Sequence, residues 1–170
     1  MILAIDPGST ESGYVVLDEN LKPIDFGKIS NERLLRFIYG DRFLKVKYIS
    51  IEMMASYGMA VGKEVFETCV WIGRFIEAID QTKELEPQFI YRKYEKMNLC
   101  HSMKANDSNI VQALVDRFAP GERNHGKGIK SKQGWFYGFS KDIWQAYAVG
   151  VTYYDMYIEP NLKKEGMAYK

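Results

Sequence analysis

The sequence predicts an α/β protein built on one five-stranded mixed β-sheet, a three-strand antiparallel meander followed by helix-connected parallel strands, flanked by helices. Three observations carry that prediction. Apolar runs at residues 2–5 (I-L-A-I) and 13–17 (G-Y-V-V-L) stand on either side of a D-P-G-S turn. A third run, residues 23–29, follows the Lys22-Pro23 turn and closes the meander. From there strand-like and helix-periodic segments alternate, the pattern of strands joined by helical crossovers.

The elements follow in order. Residues 1–6, 13–18 and 23–29 are the meander strands. Residues 32–42 form a helix with Asn31 as its cap. Residues 48–52 (Y-I-S-I-E) are a fourth strand, and like the first it ends in a carboxylate. Residues 53–62 are Gly/Met-rich and irregular. Residues 63–81 form a long helix on which Val65, Cys69, Ile72, Ile76 and Ile79 make one apolar stripe. Residues 88–91, after Pro87, are a short fifth strand. Residues 94–101 and 107–118 are helical, the second capped by Asn106 or Asp107. Residues 119–139 hold five glycines and Pro120 and read as a long loop. A final helix runs from Ser140 to about Ile158, with Ile143, Tyr147, Gly150, Val151, Tyr154 and Ile158 on its apolar side. One domain over residues 1–159 is expected, with a polar, frayed tail over 160–170. A right-handed crossover from the meander lays strand four beside strand one. Asp6 and Glu52 then meet at the carboxyl ends of adjacent parallel strands, where α/β sheets carry their sites.

Composition narrows the partners. The 170 residues carry a net charge of only +1, but residues 92–142 hold ten Lys/Arg against five Asp/Glu. A basic segment in a near-neutral chain fits either a solvated loop or a polyanion partner. Cys69 and Cys100 are distant, with no metal or redox spacing, and no apolar run reaches membrane length. A soluble protein of a reducing, cytoplasmic compartment is expected, with no membrane partner.

Asp142, in the first turn of the last helix, is the third notable acid. Each acid alone has an ordinary reading: a turn former, a helix N-terminal charge, a lysine partner. Together, from three elements, Asp6, Glu52 and Asp142 suit hard cations that take oxygen ligands. Two Mg²⁺ ions held about 4 Å apart can bind the attacking water and the leaving oxygen of a phosphodiester. No Ser-His-Asp pattern competes, and His101 and His125 read as surface residues.

These residues carry a family resemblance. I-D-P-G-S-T-E-S-G-Y at 5–14, I-S-I-E at 49–52, K-E-V-F-E-T-C-V-W-I-G-R at 63–74, A-N-D-S-N-I-V-Q-A-L-V-D-R-F at 105–118 and K-D-I-W-Q-A-Y-A-V-G at 141–150 resemble the RuvC-type Holliday-junction resolvases, especially phage-borne members. That family is a branch of the ribonuclease-H-like superfamily. The resemblance implies a ribonuclease-H-like fold, a homodimer, four-way DNA junctions as substrate, and two Mg²⁺ ions (Mn²⁺ able to substitute) at Asp6, Glu52 and Asp142. It implies products with 5′-phosphate and 3′-hydroxyl ends. The family's last helix has acidic positions three residues apart. Here the second is Gln145, which shares the Asp142 face and would ligate metal through its amide oxygen. Asp107 is a further candidate acid that reads better as a helix cap. Apolar surface beside the main stripe of the long helix, at Phe66, Trp71 and Phe75, would serve the dimer.

Arg92, Lys93 and Lys96 follow strand five on the acidic edge, and Lys104 precedes the next helix. With Lys127, Lys130, Lys132 and Lys141 they are expected phosphate contacts. Trp135, Phe136, Tyr137 and Phe139 among them either stack on bases or pack the loop on the core. Tyr57 is the nearest aromatic after Glu52 and would act at the junction centre. Two alternatives stay open: a broader flap or fork nuclease, and a weakly catalytic junction-binding protein. D-P-G-S-T also resembles the phosphate loop of the actin and sugar-kinase superfamily, but 170 residues leave no room for the two lobes those proteins need.

Overall fold

Ile2, Leu3, Ala4 and Ile5 are all buried, because β1 (Ile2–Asp6) is the central strand of a sheet covered on both faces. The structure is a computed structural model that describes residues 1–56, 58 and 60–168, with side chains as far as residue 163. Strand order is β3-β2-β1-β4-β5, with β2 (Glu11–Leu17) and β3 (Pro23–Ser30) antiparallel and β4 (Tyr48–Met53) and β5 (Gln88–Tyr91) parallel to β1. The five-stranded mixed sheet is thus the one the sequence predicts.

Period-2 alternation splits the core in two. Leu3, Ile5, Tyr14 and Val16 face α1 (Asn31–Ile38) and α2 (Lys63–Lys83). Ile2, Ala4, Val15 and Leu17 face α4 (Asp107–Phe118) and α5 (Lys141–Tyr153), with α3 (Arg92–Cys100) alongside. Helix α5 lies so close to the sheet that a Cβ at Gly150 would sit 2.8 Å from Leu17 Cδ1 and 3.0 Å from Ala4 Cβ. It is buried on almost every side, not along one stripe.

Several local expectations change. Ser30, not Asn31, caps α1 by accepting from the Arg33 amide. Asn31 is fully buried and its side chain is used elsewhere, as described below. Helix α1 stops at Ile38, and Gly40 leads into a 3₁₀ turn at Asp41–Lys45 that buries Phe43. On α2 the buried set is Thr68, Ile72, Phe75, Ala78 and Ile79, so the stripe is turned by one residue and Cys69 is exposed. Thr68 can be buried because its hydroxyl donates to the Glu64 carbonyl, 2.8 Å away. Phe75 is core, while Phe66 and Val70 remain exposed on α2.

The loop at 119–139 carries a 3₁₀ turn at Asn124–Gly126 and a two-stranded hairpin, β6 (Gly128–Ile129) with β7 (Lys132–Gln133). Trp135, Phe136 and Phe139 pack on the core, while Tyr137 is half-buried. Phe136 and Phe139 are buried, and Phe136 meets Tyr147 edge-on at 5.4 Å. Trp135 stacks on Phe118 and donates to the Tyr147 hydroxyl, which donates in turn to the Leu21 carbonyl at 3.0 Å. After α5 the chain makes a π-helical turn at Tyr154–Ile158 and continues as α6 (Glu159–Ala168), where a frayed tail was expected. The wider turn precedes Pro160, which has no N–H for the helical ladder.

Candidate active site

The parallel register that pairs Ile5 with Ile51 puts Asp6 beside Glu52 at the carboxyl edge of the sheet. The hairpin that follows Asp6 is held by Asn31, whose amide donates to the Gly8 carbonyl at 2.9 Å and accepts from the Ser12 hydroxyl at 2.7 Å. Opposite Asp6 on β2 is Gly13. A Cβ there would lie 2.5 Å from the Asp142 carbonyl oxygen, so the missing side chain is what lets the start of α5 reach the sheet edge. Asp6 and Asp142 line one cleft of about 370 Å³ with Lys28, Glu64 and Thr68.

Charge in the site is unbalanced. Burial, then the Glu52 charge and a hydrogen bond to Glu52, then the Asp142 charge push the Asp6 carboxyl up to about 8. Burial also raises Glu52, against the opposing pull of Arg92. The pair therefore keeps a proton to higher pH than either acid would alone. Two adjacent carboxyls that cannot both ionise unaided fit a hard divalent cation, which would replace that proton.

The third acid is held differently. Asp142 Oδ2 accepts from Lys28 Nζ at 3.1 Å, and Lys28 also lies 3.7 Å from Glu11. Among the described residues no three His, Cys, Asp or Glu side chains converge closely enough to hold a metal ion. Gln145 does not face a metal position alone: its amide oxygen accepts from Arg92 Nη1. Arg92 was expected on phosphate and is instead turned inward. It donates to Glu95 and Gln145 through Nη1 and to Asp107 through Nη2. Asn106, in a capping box with Asn109, is the cap of α4, so Asp107 is free to pair with Arg92.

Two site residues were missed. Glu95 is fully buried, and burial followed by the Glu52 charge raises its carboxyl well above the usual range. Its signal was the Arg92-x-x-Glu95 spacing directly after a strand. Lys28 was legible only from register, since it pairs with Gly13, which pairs with Asp6.

The expected phosphate contacts fall into groups. Lys127 and Lys141 line a cleft of about 350 Å³ with Asp107, His125 and Gln145, on the α5 side of the acids. Lys93 lies over the Tyr94 ring at 4.9 Å, Lys96 is half-buried on the same helix, and Lys104 lines a separate cleft with Cys100. Lys130 and Lys132 are exposed on the hairpin. Tyr57 lies outside the described residues.

No protein-family model matches the sequence, and no curated protein matches it. Solved structures do. Thermus thermophilus RuvC in complex with a Holliday junction substrate aligns at a TM-score of 0.61 and 13% identity, over 92% of this chain and 96% of that one. A second Thermus thermophilus RuvC structure aligns at 0.61 and 16% identity, over 91% and 95%. The element order, the sheet and the paired acids at its carboxyl edge thus belong to a chain that has the RuvC-like, ribonuclease-H-type fold.

Proposed function

We propose that this chain is a divalent-metal-dependent endonuclease that cuts branched DNA, with the four-way junction as its substrate. The observation that carries the reading is the half-buried Asp6–Glu52 pair, brought together by the parallel β1–β4 register at the carboxyl edge of a RuvC-like sheet, where burial raises both carboxyls. Asp6 and Glu52 would hold Mg²⁺, with Mn²⁺ able to replace it. A bound divalent ion supplies Lewis acidity toward the phosphate and an acidified water.

The chain's own residues do the rest. Asp142, fixed by Lys28, completes the acidic edge at the mouth of the cleft. Lys127 and Lys141 draw the phosphate backbone toward it, and Lys93, Lys96, Lys104, Lys130 and Lys132 extend the cationic track. Two copies, joined through the exposed apolar face of α2 at Phe66 and Val70, would present two sites to two strands.

Cleavage of a panel of junction, flap, fork and linear duplex DNA in Mg²⁺ tests the reading. Selective incision of the junction, leaving 5′-phosphate ends, supports it. Equal cutting of flaps and forks would favour the broader nuclease. A weakly catalytic junction binder is favoured by one observation, the amide at Gln145 bonded to Arg92. That alternative predicts tight junction binding with cleavage only in Mn²⁺.

A further inference from the structure

We propose that Arg92 is a built-in cation of this site: its guanidinium supplies the positive charge that a second divalent ion would bring, so each chain takes up one ion, at Asp6 and Glu52. The inference rests on the nuclease reading of the same site and deepens it.

Three elements converge on this one side chain. Glu95 of α3, Asp107 at the start of α4 and Gln145 of α5 each accept from it. Its charge also reaches Glu52 and Asp6 at the sheet edge. Arg92 is thus shared between the acids at the sheet edge and those on the helices. A guanidinium has five N–H donors in a fixed plane and stays charged at any physiological pH, so it can serve several acceptors at once without exchanging with solvent.

Gln145 fits this role better than it fits metal ligation. It is one turn along from Asp142, on the same face of α5. A carboxylate there would add another negative charge to a crowded site. An amide adds none, and its oxygen accepts one N–H from Arg92. Glu95 gives independent support. It is fully buried, with one oxygen on Arg92 and the other, Oε1, without a hydrogen-bond partner among the described residues. Arg92 is the side chain it meets, at its other oxygen, so the guanidinium is anchored from the buried side as well as from α4 and α5.

The test is the number of Mn²⁺ ions bound per folded chain, counted by electron paramagnetic resonance of free Mn²⁺ with no DNA present. The wild type should bind one. Gln145→Asp alone should still bind one, because Arg92 takes the new carboxylate. Arg92→Gln combined with Glu95→Gln and Gln145→Asp should bind two; the Glu95 change removes the buried acid that Arg92→Gln alone would leave without its partner. Two ions on the wild type, two on Gln145→Asp, or one on the folded triple variant each overturn the Arg92 inference while leaving a metal nuclease in place. No ion on the wild type, with no junction cleavage, overturns the nuclease reading and this inference with it.

Discussion

The two sides of the site solve the same electrostatic problem in opposite ways. On the strand side, Asp6 and Glu52 lie together with no ion pair to either among the described residues, only the field of Arg92, and Asp6 is pushed up to about 8. On the helix side, Glu95, Asp107 and Gln145 close around Arg92. The strand side feels that guanidinium only through space, whereas the helix side holds it in direct contact. The contrast teaches that an acidic cluster is not uniformly a metal site; what matters is which acids the protein has already paired.

Breaking the strand side should have the largest effect. Asp6→Asn should bring junction cleavage below detection while junction binding is retained, as read by gel shift beside a cleavage assay. Binding lost along with cleavage would mean that Asp6 holds the fold of the edge and not the chemistry.

Breaking the helix side should cost stability first. Arg92→Gln leaves Glu95, its carboxyl already raised by burial, as a buried acid without its hydrogen-bond partner, a change worth about 1–3 kcal/mol. Chemical denaturation should register it as a lower midpoint at unchanged slope. The Arg92→Gln, Glu95→Gln pair should recover much of the loss.

The pH dependence sharpens the comparison. Asp6 has a folded-state value of about 8 against an ordinary 3.8, so the fold binds its proton more tightly than the unfolded chain does. Its contribution is complete below about 3.8 and is lost as pH rises through about 8. The metal-free chain should therefore melt at progressively lower temperature across that range, and Glu52 and Glu95 act in the same direction. Mg²⁺ at a hundred times its Kd should return ~2.7 kcal/mol at the alkaline end. Scanning calorimetry with and without Mg²⁺ measures both. A melting temperature flat with pH would mean that the pair is already neutralised by a group of the chain.

The smallest effects belong to the lysines outside both acid groups. Lys127→Ala should weaken junction binding a few-fold and reduce the salt slope by about 1, leaving the cutting rate of bound junction intact.

Much of this was readable from sequence because the strands announce themselves. Residues 2–5 and 13–17 are apolar runs around a turn, and the acids at 6 and 52 fall at strand ends regardless of exact boundaries. What was not readable depended on tertiary choice. Ser30 and Asn31 are both good caps, and only the buried demands of the Gly8 loop show which was needed elsewhere. Arg92 looked like a surface charge because its partners, Glu95, Asp107 and Gln145, come from three helices whose facing no local pattern reveals. The α2 stripe shifted by one because a threonine satisfied its own hydroxyl and could be buried.

Gly13 has a consequence for how this chain can vary. Position 13 is in an ordinary strand, at no turn and with no unusual backbone angle, so its local context would admit valine or threonine, the residues strands prefer. Yet one methyl group there would meet the Asp142 carbonyl and lift the start of α5 off the sheet edge. The mutation would leave every acid in the sequence and still dismantle their meeting. Among chains that keep this site, a glycine at that strand position should persist as strictly as the acids themselves, and its replacement would mark a copy that has kept the fold and given up the chemistry.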